Sequence, residues 1–387
     1  MKRLLFLQYG DFADAFRRLK AGGVETYRDQ RHSVDYAETL ASQYNITVIG
    51  VCDRSHDEAL SPTLRSVGMP VRQAYSKDIL TKIHNANPDI FICRTPHTQA
   101  LTWSARRKIP VLPVFADVIQ ARTMRERWQN WQLAVALKRC NAVAVANHSL
   151  SASESLELLG IPRNRIIPWE FKQLSAMENH KTLPLGETFA LFYAGMVTEE
   201  KGVGDLLRAV AICVGQSVPI RLTIAGPGEI ESWSSFANDL GIAPFVRFLG
   251  RVATDEVLAQ MRSHDAVVVP SRHSYAEGLP NTIFEAFASR SPLIASDHPA
   301  FVQRLKSGVN FLSFPAGNSH ELAARIKILH KDPELYERLS SESQEALASL
   351  YCGIEWADLV ELYLSDPENT SNWVSRISLA SDSEHRK

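Results

Sequence analysis

The fold of this chain is most directly indicated by the sequence Pro270-Ser-Arg-His-Ser-Tyr-Ala-Glu277-Gly278-Leu279-Pro280-Asn281-Thr282-Ile-Phe-Glu285-Ala-Phe-Ala288. The apolar run Ala266–Val269 directly before it predicts a buried strand, which Pro270 ends. Asn281 is a favourable N-cap, and the apolar residues that follow it predict a helix. The stretch therefore predicts a buried strand, a glycine-containing loop and a helix, which is the repeating unit of an α/β sheet.

Two carboxylates flank this loop, Glu277 on the strand side and Glu285 near the start of the helix. The first turn of a helix offers unpaired backbone amides, which bind anions. An ionised carboxylate only accepts hydrogen bonds, so its natural partners are hydroxyl groups. A ligand in which phosphates join a sugar to a ribose would offer hydroxyls to the carboxylates and an anion to the helix amides. The alternative, a solvated acidic loop, would account for one glutamate better than for the complete pattern.

Strand-like and helical patterns alternate along both halves of the chain, which predicts parallel sheets wound by helices. We therefore expect two Rossmann-like, doubly wound domains facing a cleft, residues 1–178 and 184–350, because ligands bind at the carboxyl ends of such strands. The polar segment Gln173–Thr188 is predicted to link them. Residues 366–387 are predicted to form a polar tail that is mobile at its end.

Composition excludes several classes of protein. With 387 residues, 45% of them apolar and 22% charged, the chain is typical of a folded globular protein. A net charge of -1 gives no electrostatic signature of nucleic-acid binding. The five cysteines form no C-x-x-C pair, which favours reduced thiols in a cytoplasmic protein. No run is long enough to span a bilayer, so the expected location is cytoplasmic, with peripheral contact at the inner face of the membrane left open.

The two glutamates, with seven residues between them, resemble the E-x7-E motif of retaining glycosyltransferases with the GT-B fold, in particular glycosyltransferase family 4. The resemblance covers most of the chain and is strongest from Phe189 to about Leu339. It implies transfer of a sugar, with retention, from a UDP- or GDP-type nucleotide sugar to a hydroxyl of a glycan, lipid-linked or small-molecule acceptor. It also implies a role in glycan, polysaccharide or glycoconjugate biosynthesis without a cofactor or an obligatory metal. A helix over residues 351–365 should cross back to the first domain.

Further donor-binding residues in the second domain follow from this resemblance. The segment Gly195-Met196 to Lys201-Gly202 resembles the family's G-R-x-x-x-x-K-G element, whose cations hold the donor diphosphate. Lys201 matches, but Met196 stands where the family has arginine. The loop at Gly226 and the strand exit at Arg251 are expected to border the nucleotide. Glu277 would orient the transferred sugar and Glu285 the ribose, with the loop residues Gly278, Leu279, Pro280 and Asn281 between them.

In the first domain the candidates are fewer. Gly22 and Gly23 resemble a G-G-x-E element. They are expected to follow a charged loop after the first strand and to open a helix over Thr26–Tyr44, at the donor. Asp117 follows a strand at a place where many family members have His-Asp, although Ala116 replaces the histidine here. The predicted catalytic residues are therefore Glu277, Lys201 and Asp117. His97 and His148 also follow strands, but a lone histidine more often satisfies a local hydrogen bond.

The segment Arg122–Arg139 carries Met124, Trp128, Trp131 and Val135 on one helical stripe, flanked by cations. Such a stripe is expected to pack into the core. A basic rim around two tryptophans also suits a helix at a membrane interface or a wall of the acceptor site.

Other functional classes are less well supported. A dinucleotide fingerprint is incomplete at Gly202-Val-Gly204, where the third glycine is missing. A glycoside hydrolase needs two carboxylates around one bond, whereas these two bracket a helix start. A sugar-nucleotide epimerase of the same architecture, or a non-catalytic binder of nucleotides or glycans, stays open as the alternative, as does the oligomeric state.

Overall fold

The structure, a computed structural model, describes residues 1–116, 118–140, 142–183, 187–275, 277–351 and 353–381. These residues form two compact units. The first contains the chain up to residue 173 together with the described C-terminal residues from 353 onward, and the second contains residues 174–351. Strands and helices are numbered here along the whole chain.

The first unit is built on a parallel sheet. Its strands are β1 (Lys2–Tyr9), β2 (Tyr44–Cys52), β3 (His56–Ser61), β4 (Leu64–Pro70), β5 (Ile90–Cys93), β6 (Val111–Phe115), β7 (Val145–His148), β8 (Ile166–Glu170) and β15 (Ile354–Glu355). They pair in the order β15-β8-β7-β6-β5-β1-β2-β4-β3, and β3 alone among these pairs antiparallel. Because β1 lies between β2 and β5, the winding direction reverses between β1 and β5.

Helices cover both faces of this sheet. They are α1 (Phe12–Lys20), α2 (Gln30–Leu40), α3 (Val71–Ala74), α4 (Asp78–Ala86), α5 (Thr98–Arg107), α6 (Met124–Arg139), α7 (Leu150–Ser155), α15 (Trp356–Ser365) and α16 (Trp373–Ile377). Successive residues of β1 point to opposite faces of the sheet, so Phe6 and Leu7 belong to separate core clusters. A strand that is buried on both faces is continuously apolar, which is why β1 is readily recognised in the sequence.

The second unit holds a smaller, fully parallel sheet in the order β11-β10-β9-β12-β13-β14. Its strands are β9 (Phe189–Ala194), β10 (Ile220–Ala225), β11 (Val246–Gly250), β12 (Ala266–Val269), β13 (Leu293–Ser296) and β14 (Leu312–Phe314). Its helices are α8 (Val203–Gly215), α9 (Ile230–Asp239), α10 (Thr254–Ser263), α11 (Asn281–Ala288), α12 (Pro299–Val302), α13 (Ser319–Lys331) and α14 (Pro333–Leu350). The winding direction reverses between β9 and β12, and a crevice at the carboxyl ends of these strands is the expected ligand position.

The predicted α/β fold is confirmed, but several local predictions are wrong. The segment after β1 is the helix α1 rather than a charged loop, because Phe12, Ala15 and Leu19 recur at helical spacing and are buried. The hairpin of β3 and β4 was missed. Its edge strand β3 has no fully buried residue, so it lacks the apolar run that identifies the other strands.

The described part of the predicted linker is anchored to the second unit. The backbone N–H of Met177 donates to the carbonyl of Ala288 at 2.8 Å. Lys181 is 3% exposed, and its Nζ donates to the carbonyls of Met261 and His264 and to Oγ of Ser291 at 2.6–2.8 Å. Pro184 and its two successors lie outside the described residues. The described residues of this segment form no helix or strand, and the contacts of Met177 and Lys181 hold them in place.

The described residues of the predicted polar tail, 366–381, are folded. After α15, the indole N–H of Trp373 in α16 donates to the carbonyl of Asp366 at 3.0 Å. Trp373 and Leu379 are 1% and 0% exposed and join the two core clusters of the first unit. Burial of these apolar side chains fixes this part of the segment to the first unit in spite of its serine-rich composition.

The stripe of α6 was expected to pack into the core, and this expectation is wrong. Met124, Trp128 and Trp131 are 79%, 59% and 64% exposed. The buried residues of α6 are Leu133, Ala136 and Leu137, on the opposite side of the helix. Within the described residues, no helix combines the length and apolar composition needed to cross a membrane.

Candidate functional site

Two predicted residues meet at the reversal point of the second sheet. Lys201 follows β9 and Glu277 follows β12, and Nζ of the lysine lies 2.5 Å from Oε2 of the carboxylate. Oγ of Ser271 donates to the same oxygen at 2.8 Å. The ammonium also lies 4.3 Å from the ring centroid of Tyr275, as a cation–π contact. The side chains of Lys201 and Glu277 are only 14% and 8% exposed, so the ion pair is largely desolvated.

Glycines bring the loops around this pair close together. A Cβ atom on Gly202 would lie 2.0 Å from the carbonyl oxygen of Pro270, so only glycine lets the loop after β9 touch the end of β12. A Cβ on Gly226, after β10, would likewise lie 1.7 Å from the carbonyl oxygen of Gly195. The amide of Gly226 donates to the carbonyl of Gly250 at 2.7 Å, which joins the loop after β11. Four predicted donor loops thus converge at one edge of the sheet.

Helix α11 begins at this edge, close to where it was expected. Its N-cap is Pro280 rather than Asn281, which is the first helical residue. The hydroxyl of Thr282 donates to the carbonyl of Ala194 at the end of β9, at 3.1 Å, and ties the helix start to the reversal point. Leu279 is 6% exposed and belongs to the core, which makes its role structural. Glu285, in the second turn, is 8% exposed.

The cations around the site differ in how they are held. Met196, which replaces the expected arginine, is 48% exposed and brings no charge. Arg272 follows β12, but Asp205 accepts from its Nε and Nη2 at 2.8 Å each, and Glu199 lies 2.6 Å from Nη2. These hydrogen bonds raise the pKa of Arg272 and fix it to the start of α8. Arg251 is exposed after β11.

Aromatic side chains and a histidine shield the ion pair. Burial, followed by the charge of Glu277, raises the pKa of both Tyr193 and Tyr275 above the ordinary value. Burial lowers the pKa of His298, whose Nε2 lies 3.2 Å from the carbonyl oxygen of Tyr275. The phenols and the imidazole are therefore neutral near pH 7, and Lys201 supplies the positive charge at this point.

The predicted residues of the first unit have other positions than expected. Gly22 and Gly23 follow the end of α1, where the N–H of Gly23 donates to the carbonyl of Arg18 at 2.8 Å. Helix α2 begins only at Gln30, so the glycine pair does not open a helix. Asp117 lies outside the described residues.

The two histidines considered in the sequence also differ from each other. His97 is 1% exposed, caps α5 through the amide of Ala100 and contacts the carbonyl of Ala74, so its role is structural. Nε2 of His148, at the end of β7, lies 3.1 Å from Oε2 of Glu170, and the imidazole packs at a tilt against the rings of Trp169 and Phe171.

Sequence analysis missed Arg94 at the reversal point of the first sheet. It directly follows β5, and its Nη1 donates to Oε1 of Gln8 in β1 at 3.0 Å. The guanidinium lies 4.5 Å from the ring centroid of Trp356, and no described carboxylate forms an ion pair with it. These two side chains line a concave surface with Tyr9, Asp11 and Tyr27, among others. The sequence feature that could have identified Arg94 is its position as the first residue after a buried strand.

One group of metal-ligand side chains occurs in the described part of the chain. Ligand atoms of Asp11, Cys52 and His56 all lie within 4.8 Å of one another. Asp11 already accepts from Nε of Arg54 at 2.5 Å and from the amide of Asp14 at 2.9 Å, as the N-cap of α1. A cation beside the carboxylate opposes metal binding, so these contacts favour a structural role for the group.

Known proteins resemble this chain in sequence. Residues 177–346 match the family model for glycosyl transferases group 1. The chain is 26% identical over 296 residues to a phosphatidyl-myo-inositol mannosyltransferase of Mycobacterium leprae, covering 76% of this chain and 70% of that protein. It is 31% identical over 167 residues to the lipopolysaccharide core biosynthesis glycosyltransferase LpsD of Rhizobium meliloti, covering 43% and 46%. It thus spans less than half of the length of LpsD.

Solved structures show the same fold over nearly the whole chain. HepE of Anabaena, in complex with UDP, aligns with a TM-score of 0.67 at 16% identity and covers 95% of this chain and 99% of its own. Sucrose-phosphate synthase from Thermosynechococcus elongatus aligns with a TM-score of 0.66 at 14% identity, covering 94% and 99%. The chain is therefore a glycosyltransferase with the GT-B fold. Its second unit carries the domain shared by the group 1 glycosyl transferases.

Proposed function

We propose that this protein transfers a sugar, with retention of configuration, from a UDP-sugar to an acceptor hydroxyl, as a member of glycosyltransferase family 4. The observation that carries the proposal is the ion pair of Lys201 and Glu277 at the reversal point of the second sheet. In this pair a cation, which would hold a diphosphate, lies beside a carboxylate, which would accept from a sugar hydroxyl. UDP is preferred over GDP as the nucleotide because HepE was solved with UDP and with UDP-glucose.

Lys201 would stabilise the leaving group. Departure of the diphosphate breaks the bond between the anomeric carbon and a phosphate oxygen, and negative charge grows on that oxygen. The ammonium of Lys201 and the amides at the start of α11 are fixed before the reaction, so they stabilise this charge without reorganising. The adjoining phenols are neutral and do not compete for the phosphate.

Glu277 would orient the sugar. Both of its contacts with Lys201 and Ser271 reach Oε2, and neither uses Oε1. A sugar hydroxyl could therefore donate to Oε1 while Lys201 and Ser271 hold Oε2. Glu285 would hold the ribose, and the loops at Gly226 and Arg251 would border the base.

The acceptor would react from the same side that the diphosphate leaves. The acceptor oxygen forms its bond to the anomeric carbon while its proton passes to the departing phosphate oxygen, so the step needs no separate enzyme base. Asp117 stays a candidate for contacting the reacting sugar. Arg94 supports an acceptor site in the first unit, because it is a cation without a described carboxylate partner at a sheet's reversal point. The acceptor would be a glycan, a lipid-linked molecule or a small molecule.

The location in the cytoplasm belongs to the same proposal. Cys52, Cys93 and Cys213 are buried free thiols, which suits a reducing compartment. A role in polysaccharide or glycoconjugate biosynthesis is supported by the names of relatives such as LpsD.

Transfer of radiolabelled sugar tests the proposal. A thermal-shift screen of UDP, GDP and their sugars selects the donor, and the labelled donor is then incubated with a panel of sugar and lipid-linked acceptors. We expect stabilisation by UDP and label in a new glycoside with the anomeric configuration of the donor. Binding without transfer to any acceptor would favour a non-catalytic binder, and conversion of the donor into its epimer would favour the epimerase. The matched inactive protein is Glu277→Gln.

A further inference from the structure

Helix α6 presents a continuous aromatic face to solvent. Met124, Trp128 and Trp131 are among the most exposed large apolar side chains of the described residues. At about 100° per residue, these three positions fall within an arc of roughly 60° on the helix. Leu133, which is 5% exposed, points in the opposite direction into the core. The helix thus has two apolar faces, and the protein itself covers only one of them.

Cations border this face on both sides. Arg127 and Lys138 lie along one flank of the tryptophans, and Arg125 and Arg139 lie along the other, at the same helical spacing. All four are exposed. Long basic side chains at such positions place their methylenes against an apolar surface and their charges beyond it.

The single acidic residue of the segment from 122 to 139 offsets only one of its positive charges. The segment contains five cations and one acid, Glu126. Glu126 accepts from the backbone amides of Arg122 and Thr123 at 2.7 and 2.9 Å, in the capping box that begins α6. Hydrogen bonding to these amides lowers its pKa. The neighbouring end of α5 adds exposed positive charge at Arg106, Arg107 and Lys108.

We propose that the aromatic face of α6, formed by Met124, Trp128 and Trp131 with Arg125, Arg127, Lys138 and Arg139, docks on a bilayer surface that contains anionic lipid. Tryptophan favours the boundary between acyl chains and headgroups, where its apolar ring and its polar N–H are both accommodated. The flanking cations match the negative surface charge of the lipid. The helix would lie in the plane of the interface with Leu133 and the core beneath it.

A second copy of this chain fits the face less well. In a twofold dimer the same patch meets itself, so the four flanking cations of one copy would face the four of the other. Charge complementarity therefore selects an anionic partner. The lipid interface is favoured over an acidic protein because the apolar contact is a shallow ridge of long, exposed side chains.

Vesicle sedimentation tests the proposal and does not depend on sugar transfer. The full chain is mixed at low salt with one of two kinds of vesicle. The first contains phosphatidylcholine alone, and in the second about one third of the lipid is phosphatidylglycerol, which is anionic. Trp128→Ser/Trp131→Ser removes the aromatic anchors, and Arg125→Gln/Lys138→Gln/Arg139→Gln removes three cations. Matched controls in other places are Phe245→Ser/Val302→Ser and Lys2→Gln/Lys306→Gln/Lys331→Gln, all exposed in the structure.

We expect binding to the anionic vesicles only, with weakening as salt rises. Loss of three cations should reduce the partition coefficient on the order of 100-fold, and loss of both tryptophans by at least about tenfold, while both controls bind as wild type. Thermal unfolding should change little in the tryptophan variant, because both side chains are exposed.

Three outcomes would overturn the proposal. Equal sedimentation with neutral and anionic vesicles would exclude charge recognition, and retained binding in both variants would place the membrane contact elsewhere. Failure of the wild type to bind either vesicle, together with a dimer that Trp128→Ser/Trp131→Ser dissociates in analytical ultracentrifugation, would assign the face to a second copy. If the tryptophan variant unfolds, sedimentation of the cation variant with anionic vesicles tests the proposal instead: retained binding would overturn it.

Discussion

Nζ of Lys201 lies 2.5 Å from Oε2 of Glu277, although 76 positions separate the two residues in the chain. The parallel pairing of β9 with β12 makes this possible, because it brings the loops after both strands to the same edge of the sheet. The pair is largely desolvated, so each residue stabilises the other's charge in addition to any contact with donor.

Removing one member of this pair should affect both transfer and folding. Lys201→Ala should lower the rate of transfer by about 10²- to 10³-fold, the loss typical of one fixed donor at a developing oxyanion. It should also lower the free energy of unfolding by up to about 3 kcal/mol, because the buried carboxylate of Glu277 loses its counter-charge. Steady-state kinetics and denaturant unfolding measure the two effects.

The double variant Lys201→Met/Glu277→Met separates the two roles. It should recover much of the stability, because no isolated charge is left buried, while transfer stays as low as in the single variants. Lys306→Ala, at an exposed lysine, is the control for loss of charge alone. Near wild-type turnover in Lys201→Ala and Glu277→Gln would remove the basis for the proposed site.

Restoring the missing arginine should strengthen donor binding. Met196 is 48% exposed beside Gly195, so Met196→Arg adds a cation without disturbing the core. A new charge-assisted hydrogen bond to the diphosphate should tighten UDP binding by about tenfold, equivalent to about 1.4 kcal/mol. Isothermal titration calorimetry measures this, with Met196→Gln as the uncharged control. Equal affinities of the two variants would mean that the diphosphate does not approach position 196.

Arg94 should act on the acceptor rather than on the donor. Arg94→Met should lower transfer to acceptor at least about tenfold by loss of a charged hydrogen-bond donor. Binding of UDP and slow hydrolysis of the donor by water should be unchanged. Arg3→Met is the matched control. Arg3 is an exposed arginine near the beginning of β1, and it forms an ion pair with Asp89. A parallel fall in UDP binding would place Arg94 at the donor instead.

Lys181 should make the stability of the second unit depend on pH. Burial lowers its pKa from 10.5 to about 7, with a further decrease from the charge of Arg262 and an opposing increase from Asp265. Between pH 7 and 10.5 the unfolded lysine binds a proton that the folded lysine largely lacks, so the free energy of unfolding rises with pH. The stabilisation is complete above pH 10.5 and is lost as the pH falls through 7, at up to about 1.4 kcal/mol per pH unit.

Replacing Lys181 by methionine, which does not titrate, isolates this effect. Hydrogen exchange of β9 and β12 gives the opening free energy of the second unit between pH 7 and 9, after correction for intrinsic exchange. Its rise with pH should be steeper in the wild type than in Lys181→Met, while exposed Lys306→Met should retain the wild-type slope. Parallel slopes for wild type and Lys181→Met would show that the lysine stays protonated throughout this range.

Transfer should persist after metal removal. No His, Asp or Cys cluster of three occurs among the described residues except Asp11, Cys52 and His56, where Arg54 neutralises the carboxylate. Lys201 is proposed to supply the charge that a metal would bring to the diphosphate. Activity in EDTA should therefore equal that in buffer, and recovery of a lost activity by added Mg²⁺ or Mn²⁺ would contradict this prediction.

The sequence by itself determined the α/β class, most strands and the loops that are proposed to bind the donor. Strands such as β12 and helices such as α11 follow from local apolar patterns, because a strand covered on both faces must be apolar throughout. The E-x7-E motif and Lys201 identified the class of enzyme, since they lie at fixed distances from those elements.

Tertiary structure decided which face of each element is covered and which distant groups meet. The stripe at Trp128 and the tail at Trp373 both carry tryptophan in polar surroundings, yet the first is 59% exposed and the second 1%. Periodicity reports that a face is apolar, but the partner that covers it comes from elsewhere in the chain. For the same reason, the desolvated pair of Lys201 and Glu277 and the stacking of Arg94 on Trp356 arise only when strands and helices distant in sequence are packed side by side.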